Sequence, residues 1–247
     1  MNWARWSPKT HEDLIGRAKA IYNLVAEQLR NLKALEGSQS SGAFAFSGDP
    51  GVGKTSVAMM LADNWVTENK SINYLHGPNW SGRRIKETQI TDMIDNWQAS
   101  QATLFDGQCK AVVINEVDKM QKHLQEMLLD WMEDYLPERT IVLVTTNKDV
   151  GQKQQIEKLS KAQQEEYLEP RFAERFVPHH IDTSSPEEIA KGLLRLPFAE
   201  MVDDTSRAKA AQFAARKCEG SIRRALQEVD KFSAAVQINI KRKEKVI

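Results

Sequence analysis

The stretch Gly48 to Thr55, Gly-Asp-Pro-Gly-Val-Gly-Lys-Thr, constrains this chain more than any other. It follows the small and apolar run Ala43 to Ser47, which reads as a short buried strand. It precedes Val57, Met60, Leu61 and Trp65, which recur at helical spacing. Strand, glycine loop and helix together meet the pattern G-x-x-x-x-G-K-[ST] at Gly48, Gly53, Lys54 and Thr55. The expected binding loop comprises Gly48, Asp49, Pro50, Gly51, Val52, Gly53, Lys54, Thr55 and Ser56. Its backbone N–H groups and the following helix N-terminus suit an anion. Lys54 would reach the outer phosphates of ATP, and the Thr55 hydroxyl is placed for Mg²⁺. A glycine turn before a helix also arises by chance, but the flanking strand and helix favour nucleotide binding. The dinucleotide fingerprint G-x-G-x-x-G is not met, because Ser56 sits where its last glycine belongs.

The rest of the chain supplies the remainder of an α/β architecture. Residues 71–76 (SINYLH) read as a second strand, broken by GPNWSG, and RIKETQITDMIDNW has helical periodicity. KAVVINEV and TIVLVTTN read as buried strands around the helix HLQEMLLDWMEDYL, and RFVPHHI as a last strand. Alternating strands and helices predict a parallel sheet covered on both faces. Glu12 to Leu35 reads as one or two amphipathic helices, and the polar stretch 148–170 as helical with little apolar surface. After Thr183, Ser184 or Ser185 caps a helix with Pro186 in its first turn. Three helical segments then run to about Val236, and KRKEK (241–245) reads as a solvated, frayed end. The expected domains are a nucleotide-binding core over 1–182, a helical lid over 183–236 and a basic tail over 237–247.

At 247 residues the chain is long enough for both domains. Its 34 basic and 34 acidic residues cancel, so bulk charge selects no partner. Cys109 and Cys218 form no C-x-x-C pair, so neither a zinc site nor a disulfide framework is expected. No apolar run approaches a membrane span, and the start MNWARWSPKTHED lacks a signal core. A cytoplasmic protein, cellular or virus-encoded, is expected.

Three further stretches carry chemistry. VVINEVD is an apolar strand ending in polar groups, with Glu116 as the natural general base, Asp118 nearby and Asn115 beside the metal. LVTTN ends in Thr145, Thr146 and Asn147, where a neutral amide can orient the attacking water, although such strand ends are also ordinary turn chemistry. EPRFAERF offers Arg171 and Arg175, whose planar guanidinium groups suit a phosphate presented across a subunit boundary or, more plainly, a salt bridge with a neighbouring glutamate. GSIRRALQEVD places Arg223 in a first helical turn, where it opposes the helix dipole and hints at an anionic partner.

Together these stretches resemble AAA+ ATPases, in particular the clamp-loader branch and its replication factor C small-subunit type. NWARWSPKTHEDLIGR resembles that branch's opening box at Trp3, Pro8, Lys9, Asp13, Ile15 and Gly16, with Trp6 and Ser7 in place of its Tyr-Arg pair. The resemblance implies that Pro8, Ile15 and Gly16 lie along the adenine. NWSGRRIKET resembles the branch's Ser-Asp-Glu-Arg-Gly-Ile segment. GSIRRAL resembles the sensor 2 motif, which implies that Arg223 contacts the nucleotide. Asn147 is then implied as sensor 1, and Arg175 as an arginine finger acting in trans, with Arg171 in reserve. Three departures stand out. No collar domain is expected after the lid, the stretch 148–170 is longer than the branch's link, and Asn115 replaces the aspartate of the Asp-Glu pair. Asn still accepts a hydrogen bond from a magnesium-bound water but removes a charge, so weaker Mg²⁺ binding and slower turnover are expected.

The leading expectation is an oligomeric, ring- or filament-forming ATPase remodelling a DNA replication or recombination complex. Arg83, Arg84, Lys86, Lys119 and Lys122 would supply DNA backbone contacts, or else be ordinary solvated cations. The first alternative is a nucleotide-gated assembly module with weak hydrolysis. The second is a protein-remodelling AAA+ chaperone, against which stands the lack of an aromatic pore loop. Trp80 is its nearest candidate and reads more simply as a packed loop residue.

Overall fold

The computed structural model describes residues 7–35, 40–66, 74–81, 86–88, 90–92, 95, 109–134, 136, 138–150, 170–196 and 204–244. The strands are β1 (Gly42–Ser47), β2 (Tyr74–Ser81), β3 (Lys110–Asn115), β4 (Thr140–Thr145) and β5 (Val177–His180). The helices are α1 (Arg17–Lys33), α2 (Lys54–Val66), α3 (Lys122–Asp134), the single turn α4 (Pro170–Ala173), α5 (Pro186–Leu193), α6 (Asp204–Lys217) and α7 (Ile222–Glu244). Among the described residues, no helix is long and apolar enough to cross a membrane.

The five strands form one parallel sheet in the order β2-β3-β4-β1-β5. Side chains alternate across a strand, and both parities are apolar here. Ala43, Ala45, Val112, Ile114, Val142 and Val144 pack on one face with Leu124, Leu128 and Trp131 of α3 and with Phe172 and Phe176. Phe44, Phe46, Ala111, Val113, Ile141 and Leu143, of the other parity, are equally buried. A sheet covered on both faces is the expected parallel α/β arrangement.

Two expectations change, one for a strand and one for a helix. β2 does not stop at His76. It runs through Gly-Pro-Asn-Trp to Ser81, with an irregularity in its pairing to β3 between His76 and Ser81. The bulge absorbs residues that local propensity reads as breakers. Nor does KRKEK begin as a frayed end, because α7 continues through Glu244. The helical stretch expected within 148–170 lies mostly outside the described residues, as do Trp3, Arg83 and Arg84.

The chain divides into two compact units. One comprises Met1–Ile21, Asp49–Val57 and Ile181–Ile247, and the other Tyr22–Gly48 and Ala58–His180. In the first, Ile15 packs among Ile189, Leu193, Ala211, Ala214, Ala225 and Leu226. Ser185 rather than Ser184 caps α5, accepting from Glu188 N at 3.2 Å while Ser185 N donates to Glu188 Oε2 at 2.9 Å. This reciprocal pair is a capping box, with Pro186 in the first turn. Ser184 accepts instead from the Arg17 backbone N–H, at 3.0 Å.

Candidate nucleotide site and strand-end dipeptide

In the first unit the glycine loop passes into α2, whose first turn begins with a bond from Val57 N to Gly53 O at 3.0 Å. The N–H groups of a helix's opening turn have no carbonyl of their own helix to meet, so they suit an anion. Lys54 is only 8 % exposed, and its Nζ donates to Asp49 O at 2.9 Å. Thr55, one residue on, is exposed.

Gly51 has φ +92°, and a Cβ there would meet Ser221 Oγ at 2.3 Å and Arg223 Cβ at 3.2 Å. Its carbonyl accepts the Arg223 N–H at 3.3 Å. The start of α7 therefore lies on the loop backbone, and only a residue without a side chain fits between them. The exposed Arg223 side chain is carried at this junction. The opening segment belongs to the same unit. Gly16 (φ +57°) would place a Cβ 2.1 Å from Ser184 Oγ. Arg195 donates to Glu12 O at 3.2 Å and to Leu14 O at 3.1 Å. Ile15 is buried and Pro8 is half-buried. Lys54, the loop amides and the Thr55 hydroxyl are the donor set a polyphosphate with Mg²⁺ requires.

The second unit holds the strand ends. In an open parallel sheet, ligands bind beyond the carboxyl ends of the strands. There β3 ends at Asn115 and β4 at Thr145. The register pairs Ile114 with Val144, and one step further brings Asn115 beside Thr145. Thr145 Oγ1 donates to Asn115 Oδ1 at 3.2 Å and accepts from Glu116 N at 3.1 Å. Glu116 adopts a left-handed conformation, φ 54° and ψ 48°, which turns the chain sharply out of the strand. Its carboxylate pairs with Lys119 Nζ at 2.7 Å. Asn147 is exposed past the end of β4, where its backbone N–H donates to Asp118 Oδ1 at 3.3 Å.

The predicted residues thus fall into two groups. Gly51, Gly53, Lys54, Ile15, Gly16 and Arg223 gather in the first unit, and Asn115, Glu116, Asp118 and Asn147 in the second. Arg175 sits just after the α4 turn and pairs with Glu133 of α3, while Arg171 is exposed. Of the basic residues, Lys86 and Lys122 are exposed and Lys119 is engaged with Glu116. Thr145, Ser221 and Arg195 carry contacts that motif matching alone does not assign. Neither Cys109 nor Cys218 is in a disulfide, and burial raises the Cys218 thiol above its ordinary range.

The glycine loop follows β1, and the Asn-Glu pair ends β3, with β4 inserted between those strands. This combination defines a P-loop nucleotide-binding protein. The chain belongs to the ATPase family associated with various cellular activities (AAA), whose family model matches residues 44–169. The chain is 26% identical to DNA polymerase III subunit tau of Escherichia coli over 245 residues, covering 94% of this chain and 34% of the relative. It is 25% identical to the ATP-binding subunit ClpE of the ATP-dependent Clp protease of Bacillus subtilis over 162 residues, covering 59% of this chain and 23% of the relative. In fold it is similar to the Thermotoga maritima RuvB Holliday junction branch migration motor, with a TM-score of 0.59 at 18% identity, covering 94% of this chain and 67% of that one. The chain spans about a third of the length of the tau subunits it matches.

Proposed function

We propose that this chain binds and hydrolyses ATP as an oligomer and acts on a DNA replication or recombination complex, in the manner of a clamp-loader subunit. The observation that carries this reading is the similarity to a DNA polymerase III subunit, which covers 94% of this chain. Mg²⁺, when bound, supplies positive charge beside the outer phosphates, with the Thr55 hydroxyl and Asn115 as its partners in this chain. Lys54 and the loop amides hold the phosphates, and Arg223 holds them from the start of α7. Pro8, Ile15 and Gly16 border the base. Glu116 takes a proton from the attacking water, Asn147 orients that water, and Arg175 serves a neighbour's nucleotide.

Lys86 and Lys122, with Arg83 and Arg84, supply phosphate contacts to DNA, so binding should weaken steeply with salt. The test is ATP turnover without DNA and with single-stranded, duplex and primed DNA, at two salt concentrations. Stimulation by any DNA form that fades with salt supports the reading. Salt-insensitive turnover unaffected by DNA overturns its DNA part and favours a protein client, the reading to which the ClpE similarity points. A second reading, a nucleotide-gated assembly module with weak hydrolysis, is favoured by Asn115, whose neutral amide stands where a carboxylate would strengthen the metal site.

A further inference from the structure

Among the described residues, the Thr145 hydroxyl bonds to both members of the Asn115–Glu116 dipeptide. We propose that Thr145 is a positioning residue that sets the direction of the Glu116 carboxylate and the orientation of the Asn115 amide, an inference that rests on the ATPase reading. Thr145 is buried, at 2% exposed, so its hydroxyl is shielded from bulk water. A hydroxyl has one hydrogen and two lone pairs. One lone pair receives the Glu116 N–H, and the hydrogen goes to Asn115 Oδ1.

Two consequences follow from that division. First, the left-handed backbone at Glu116, unfavourable for a residue with a Cβ, is held by a bond to its own N–H. The side chain of Glu116 leaves the backbone in the direction this conformation dictates. Second, one lone pair of the Asn115 oxygen receives the Thr145 hydroxyl, which fixes which end of the amide faces Thr145 and leaves the other lone pair for a further donor. If the amide were reversed, the hydroxyl would face two N–H groups and its own hydrogen would lose this acceptor. The Lys119 contact to the Glu116 carboxylate is different in kind. It is partly exposed, with side chains 31% and 43% accessible, and can exchange with solvent ions. Thr145 supplies the fixed contact and Lys119 the exchangeable one.

The test compares Thr145→Val, which keeps the shape and removes the hydroxyl, with Thr145→Ser, which keeps the hydroxyl. Misplacing a catalytic group by about 1 Å costs on the order of a hundredfold in rate. The Val variant should therefore lose about 10- to 100-fold in kcat while its ATP affinity, measured by calorimetry, stays within about threefold. The Ser variant should restore kcat. A second readout needs no turnover: the Glu116 backbone amide, followed by NMR hydrogen exchange, should be protected in wild type and Thr145→Ser and lose that protection in Thr145→Val. If Thr145→Val does not fold, Thr145→Cys, a weaker donor and acceptor, should show the same losses in smaller measure. Wild-type kcat in the Val variant, or unchanged Glu116 protection in it, overturns the proposal. If wild type shows no turnover while its Glu116 amide protection depends on the hydroxyl, the hydrolysis reading falls and the positioning role stands.

Discussion

Arg175 is engaged within its own chain: its guanidinium Nη2 pairs with Glu133 Oε1, joining the end of the α4 turn to α3. Both side chains are substantially exposed, at 49% and 31%. An exposed ion pair contributes about 0–1 kcal/mol, so exchanging Glu133 for a neighbour's triphosphate costs little. Mixing Lys54→Ala with Arg175→Ala protein should then restore turnover, since the first supplies the arginine and the second an intact nucleotide loop. A mixture no more active than the sum of its parts, while both variants still assemble, would rule out the role in trans and move attention to Arg171.

Lys54 is the cation of the glycine loop, largely buried and held by the loop's own carbonyl. A hydrogen bond to a charged group is worth about 1.5–3 kcal/mol, and a triphosphate engages the amine more than once. Lys54→Ala should remove nucleotide binding in a calorimetric titration while leaving the thermal midpoint of the apo protein within a few degrees. Near-wild-type affinity would mean that the loop does not hold the phosphates.

Asn115 offers a prediction with a built-in control. Changes in the outer shell of a metal shift its affinity or the activity by about 10–100-fold. Asn115→Asp should raise turnover when Mg²⁺ is limiting, with the gain shrinking as Mg²⁺ rises. Glu116→Gln should abolish turnover at every Mg²⁺ concentration and preserve ATP binding. An unchanged magnesium dependence in Asn115→Asp would place residue 115 away from the metal and make Asp118 the carboxylate to test.

Gly51 tests the contact between the loop and α7. Alanine there would be strained at φ +92° and would drive its Cβ to 2.3 Å from Ser221 Oγ. Left-handed strain alone costs about 1–2 kcal/mol. Gly51→Ala should lower both thermal stability and ATP affinity, and adding Ser221→Gly should recover part of the loss but not the backbone share. Full recovery would show that the conformation of the loop carries no cost.

His179 is 7% exposed and lies between the rings of Phe44 and Phe46, each 6.0 Å away. Burial pushes its imidazole below the ordinary value of 6.5. The unfolded chain therefore binds the proton more readily. The stability this residue contributes is present above pH 6.5 and is lost as pH falls through its depressed folded value. Urea midpoints should drop between pH 7.5 and pH 5, and His179→Phe should flatten that drop. An equal drop in the variant would assign the acid sensitivity to other groups.

The glycine loop, β1, β3 and β4 were legible in the sequence because each is a short apolar run with a distinct end. Pairing across the sheet was less so. Gly77 and Pro78 carry strong breaker propensities, yet pairing with β3 overrides them as far as Ser81. Thr145 and Thr146 look alike in LVTTN, and only the register of β3 against β4 picks out the first as the neighbour of Asn115. A signal was present in two apolar runs of equal length, each ending in a polar residue. Which serine capped α5 was likewise decided by a distant contact, the Arg17 N–H that occupies Ser184.

The discontinuity of the first unit also sets an order of events during synthesis. Residues 49–57 emerge from the ribosome early, but Ser221 and Arg223, which border Gly51, emerge more than 160 residues later. All five strands are out once His180 has passed. Domains form as units while the chain grows, so a nascent chain stalled just after β5 has every strand of its sheet and a glycine loop without its backbone partner. The Arg223–Gly51 bond therefore forms only after every strand of the sheet and the start of α7 have emerged, so the glycine loop gains its backbone partner later than the sheet gains its strands.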